Sequence, residues 1–66
     1  MTNYTISVHF ADEPRPRRVE SFETAQQVLV RIPLLLLEHA DCEKMIVTAG
    51  TTRLFSVDAE GNRLPD

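Results

Sequence analysis

Along the first ten residues apolar and polar side chains alternate. Tyr4, Ile6, Val8 and Phe10 fall on one side of an extended chain, and Thr5, Ser7 and His9 fall on the other. Period two with β-branched and aromatic residues predicts a half-buried strand. The pattern breaks over residues 11–18, ADEPRPRR, where Pro14 and Pro16 lack backbone donors and push their preceding residues towards extended geometry. A flexible charged loop is expected there, followed by a short return strand within RRVESF, residues 17–22.

Period two then gives way to a helical period. Thr24-Ala25-Gln26-Gln27 fits a capping box, in which the Thr24 hydroxyl accepts from the Gln27 amide and the Gln27 side chain reaches back to the Thr24 amide. Continuing at about 100° per residue places Ala25, Val28, Leu29, Ile32, Leu35, Leu36 and His39 on one broad face, expected to be the core face. After the polar break DCEK, the runs KMIVTA and TRLFSV flank Gly50, which can take the positive φ of a tight turn, so they predict a hairpin. Gly61-Asn62 marks another turn, and residues 62–66 form a tail in which Arg63-Leu64 adds at most a stub of edge strand before Pro65. The expectation is one α+β domain spanning residues 1–66: a three- or four-stranded antiparallel sheet packed on one face by a single helix, kinked or broken at Pro33, in the order β(β)αββ.

Subtracting the core face from the helix leaves a second apolar stripe. Val30, Leu34 and Leu37 recur at helical spacing almost opposite the core, with Gln26, Gln27, Arg31 and Glu38 beside them. The chain's own tail or a further strand would explain the stripe by covering it, and a break at Pro33 would remove its common axis. Otherwise it is an exposed apolar patch with a polar rim, which marks a protein contact.

Composition narrows the choice of partner. A chain of 66 residues buries only about 60% of its unfolded surface, so apolar side chains left outside the core are a cost to explain. The net charge of −3 gives no electrostatic reason to bind nucleic acid, and a basic protein surface is the easier partner. Glu20, Glu23, Glu38, Asp41, Glu43, Asp58 and Glu60 would supply the complementary charge if they cluster. The basic group Arg15, Arg17 and Arg18 has no interleaved aromatics for stacking on bases, and suits bidentate contact with carboxylates of a protein better. A single cysteine, Cys42, rules out an internal disulfide and suggests a reducing compartment, the cytoplasm. The first residues lack the pattern of a secretion signal, and the Leu-rich stretch, interrupted by Arg31 and Pro33, is far short of a membrane span.

Candidate chemistry adds little. The cluster Glu38-His39-Ala40-Asp41-Cys42-Glu43 brings three ligand types together but only one Cys and one His, short of the repeated pairs that zinc sites use. A His39–Cys42 nucleophile would need an orienting third group that the sequence does not supply. Phosphate-cradling glycine loops are missing too. No catalytic, cofactor-binding or metal-ligating residue is assigned, and an enzyme is not expected.

The reading that results is a small non-enzymatic interaction domain that docks on a larger protein or complex. Val30, Leu34 and Leu37 would be its anchors, Arg31 and Glu38 its rim, and Arg15, Arg17 and Arg18 a secondary contact. In size and general character alone, without a shared motif, such a chain resembles inhibitors made by phages and mobile elements, including anti-CRISPR proteins. The alternative is a homodimeric accessory subunit in which the same stripe pairs with its symmetry mate. Nucleic-acid binding through the arginine loop ranks below both.

Overall fold

The computed structural model describes residues 3–65. Five elements follow one another: β1 (Tyr4–His9), β2 (Arg18–Phe22), α1 (Ala25–Glu38), β3 (Lys44–Ala49) and β4 (Thr52–Asp58). The strands form one antiparallel sheet in the order β2-β1-β3-β4. The fold is α+β, with four strands, as the alternating and helical periods predict.

Register decides which side chains face the helix. Tyr4 lies opposite Phe22 and Ala49, Ile6 opposite Glu20 and Val47, and Val8 opposite Arg18 and Met45, so these residues share one face of the sheet. On that face Ile6, Val8, Met45, Val47 and Val57 are buried together with Val28 and Leu35 of α1, and Phe10 and Cys42 close the end of the core. Ile32 and Leu36 pack against it from the helix, and Tyr4, Phe22 and Phe55 from the sheet. Burial of a Leu or Ile side chain contributes about 1.5–3 kcal/mol, which is how so short a chain offsets its backbone entropy.

The helix begins as its cap predicts, with one shift. Thr24 is extended and its Oγ1 accepts from the Gln27 amide at 3.2 Å. The Gln27 Oε1, however, accepts from the amide of Glu23, one residue earlier than a standard capping box would have it. At the other end the His39 amide donates to the Leu35 carbonyl at 2.8 Å and closes the last turn. Pro33 lies inside a continuous helix and does not separate two. Its ring is on the exposed side, where water can reach the Leu29 carbonyl that it leaves without a partner.

The expected core face of the helix is too broad and must be corrected. Leu29 is 62% exposed and Ala25 is exposed, whereas Val28 and Leu35 are fully packed. The backbone of the helix comes nearest β1 and β2, while its buried side chains share one cluster with Met45, Val47 and Val57 of β3 and β4. A helix so placed buries a narrow strip, and Leu29, 100° round from Val28, falls outside it.

The β3–β4 turn places Gly50 at φ 61°. The tail returns along β4: Arg63 bridges Val57, the Leu64 amide donates to the Ser56 carbonyl, and the Asp58 amide donates to the Asn62 carbonyl. The expected stub of edge strand is therefore a single bridge, and Asp66, the last residue of the expected tail, lies outside the described residues.

Candidate protein-contact surface

Seen from solvent, α1 is apolar across more than one stripe. Leu29 and Val30 are each 62% exposed, Leu34 47% and Leu37 80%. Pro33 is exposed between them. At 100° per residue these five side chains span an arc of about 140° in which Gln26 is the one polar interruption. The stripe read from sequence, Val30, Leu34 and Leu37, is thus one part of a wider face. Leu29 and Pro33 were missed because the expected core took one and the expected break took the other. The signal that would have found them is the spacing of Leu29, Pro33 and Leu37, a second i, i+4, i+8 row.

One border of this face is built from charge. Arg31 grips Glu20 in a bidentate pair, Nε to Oε1 at 2.9 Å and Nη2 to Oε2 at 3.0 Å, and extends Nη1 to Glu38 at 3.0 Å. Arg18 holds the same Glu20 from the strand. The Arg31 guanidinium is the chief reason the Glu20 carboxyl is held down to about 2, with Arg18 assisting. The network locks helix to strand, because Glu20 faces the helix from β2 and could otherwise be stranded among apolar side chains. Arg31 and Glu38 therefore do sit at the edge of the stripe, already engaged with each other. Between β2 and the helix runs a shallow open groove whose walls include Ser21, Phe22, Gln27, Val30, Arg31 and Leu34.

The arginines of the loop are not brought together. Arg17 pairs with Glu13 and stacks over the Phe10 ring, its guanidinium carbon 3.5 Å from the centroid. Arg18 is held by Glu20. Arg15 is exposed and makes no ion pair among the described residues. Two of the three loop cations are thus used to fasten their own chain, Arg17 closing the loop and Arg18 the sheet edge.

The connections at one end of the sheet, by contrast, are rich in acidic residues. Val8 lies opposite Arg18, His9 opposite Lys44 and Lys44 opposite Asp58, and His39 after the helix meets Phe10 edge to face. The connections at that end carry Asp12, Glu13, Glu38, Asp41, Glu43, Asp58 and Glu60 against Arg15, Arg17, Arg18, Lys44 and Arg63, with Glu38 already paired to Arg31. No basic residue occupies the last helical turn, so the partial negative charge of the helix C-terminus adds to theirs.

The side chains of His39 and Cys42 are not hydrogen-bonded to each other. The hydrogen bond between the two residues runs from the Cys42 amide to the His39 carbonyl at 3.0 Å, and His39 Nε2 is buried without a hydrogen-bond partner. Burial pushes the Cys42 thiol above its ordinary pKa, with Asp41 nearby adding to the shift, which disfavours the thiolate that a nucleophile needs. Among the described residues no three His, Cys, Asp or Glu side chains converge as metal ligands, and no helix is long and apolar enough to cross a membrane. Comparison of the chain with protein-family models, with curated proteins and with solved structures returns no match.

Proposed function

We propose that this chain is a small non-enzymatic interaction domain that docks on a larger protein or complex through the outer face of α1, as an inhibitor or modulator of the phage and mobile-element type. The observation that carries this reading is the exposed arc of Leu29, Val30, Pro33, Leu34 and Leu37. In a domain of this size, leaving that much aliphatic surface in water while only Val28 and Leu35 of the helix are fully buried sacrifices stability that another surface can return. The face is anchored on a rigid element and bordered by an ordered ion-pair network, the arrangement of apolar centre and polar rim found in protein interfaces. The acidic end beside the helix C-terminus favours a partner with a basic surface next to an apolar groove, and would speed its encounter.

The test uses purified native protein and a Leu29→Gln, Leu37→Gln variant as paired baits, with captured proteins identified and the interaction remeasured between purified components. A partner bound by the native chain should be lost from the variant, which keeps its helical circular dichroism, and retained by Arg15→Ala. Equal binding by native and variant chains would remove the outer face from the account. Loss with Arg15→Ala alone would move the contact to the loop.

A further inference from the structure

We propose that the free edge of β2 pairs with β2 of a second copy of this chain, in an antiparallel two-fold contact that continues the sheet and sets the two α1 helices side by side at Val30 and Leu34. This goes beyond the reading above: it uses the β2-side flank of α1 and leaves the row Leu29, Pro33 and Leu37 for the larger partner.

The first observation is that the two edges of the sheet are treated differently. β4 is guarded twice. Its register shifts opposite Val47 and Thr48, leaving Leu54 as a bulge, and its own tail occupies the outer side through the Leu64–Ser56 and Asp58–Asn62 hydrogen bonds. Bulges and covering segments are the usual means of blocking edge pairing. Among the described residues neither device protects the outer side of β2.

The second is the direction of the backbone groups on that edge. The Gly50 amide donates to the Asn3 carbonyl, and hydrogen-bonded pairs alternate along the antiparallel ladder from there. Odd-numbered residues of β1 therefore bond to β3, and Tyr4, Ile6 and Val8 bond to Phe22, Glu20 and Arg18 of β2. The N–H and C=O groups of Val19 and Ser21 are left pointing outwards. Pairing Val19 with Ser21 of the second copy, and reciprocally, satisfies all of them about a two-fold axis at Glu20.

The third is where the helix sits. Arg31 of α1 reaches Glu20 of β2, and Val30 and Leu34 line a groove with Ser21 and Phe22, so this flank of the helix lies along the free edge. The groove walls Val30 and Leu34 would close on their symmetry mates.

The two-fold axis sets Glu20 opposite its own symmetry mate, a like-charge pair that must be neutralised for the contact to form. A charge pointing inwards on an edge strand ordinarily deters pairing. Here Arg18 and Arg31 balance Glu20 and Glu38 within each chain, so the two networks meet without net charge.

The experiment is the molar mass of the native protein by light scattering across a dilution series, with amide hydrogen exchange read by NMR at the concentrated end. A dimer is expected in which the Val19 and Ser21 amides exchange as slowly as those of Arg18 and Glu20. Val19→Pro removes an outward donor without touching the β1–β2 ladder and should weaken the dimer about tenfold or more. The Leu29→Gln, Leu37→Gln variant should keep the native mass, so this proposal and the larger-partner reading fail separately. A native monomer at every concentration up to millimolar would overturn the proposal. So would a dimer whose Val19 and Ser21 amides exchange freely, or one that survives Val19→Pro; should that variant not fold, exchange in the native protein decides.

Discussion

Neighbouring leucines in α1 have opposite fates. Leu35 is fully buried beneath the helix and Leu34 is 47% exposed, although the chain spells them identically. The difference is 100° of rotation, and it was legible from sequence for Leu34, Leu35 and Leu37 because the helical phase was fixed by the cap at Thr24. It failed for Leu29, because the width of the buried strip depends on where the helix sits on the sheet. Periodicity alone carries no such information. Glu20 was illegible for a related reason: its partner Arg31 lies eleven residues away, and only the strand register aims one at the other. That pair gives a pH prediction. The Glu20 carboxyl falls from an ordinary 4.5 to about 2 on folding. Its contribution is fully present above the unfolded value and is lost as pH drops from about 4.5 towards 2. Glu20→Gln should cost about 1–2 kcal/mol at neutral pH. It should also flatten the fall in melting temperature through that window. A variant with the native pH profile would mean that the pair contributes nothing to folding.

Among the elements, the helix holds a conflict between local propensity and position. Proline in a helix interior is about 3 kcal/mol less favourable than alanine. Pro33 is tolerated because it lies on the exposed side, where its ring meets solvent and the Leu29 carbonyl can be hydrated. The sequence allowed either a kinked helix or two helices; packing of Val28, Ile32, Leu35 and Leu36 on one sheet face favours continuity over a break. Pro33→Ala should restore the hydrogen bond to Leu29 and stabilise the fold by about 1–3 kcal/mol. Thermal denaturation checks this, and an unchanged or lowered midpoint would show that the proline already fits its helix without cost. If stabilisation comes with weaker partner binding, Pro33 is part of the contact surface as its exposure suggests.

At the scale of the whole molecule, the chain divides into a sheet that makes the core with one side of a helix, and a helix whose other side makes no contribution to that core. Strand and helix order were readable because each element has its own period and each junction its own turn chemistry, from Pro14 and Pro16 to Gly50. The acidic end was not, since the connections that carry Asp12, Glu43 and Asp58 are brought to one end only by the antiparallel pairing of the strands beside them. This division is the central claim, and urea denaturation of the Leu29→Gln, Leu37→Gln variant tests it most directly, with Leu35→Ala as the reference for a core residue. The double variant should unfold within about 0.5 kcal/mol per site of the native chain. Leu35→Ala should lose about 2–5 kcal/mol. A loss in the double variant comparable to that of Leu35→Ala would contradict the claim, because the outer face of α1 would then belong to the core of its own chain.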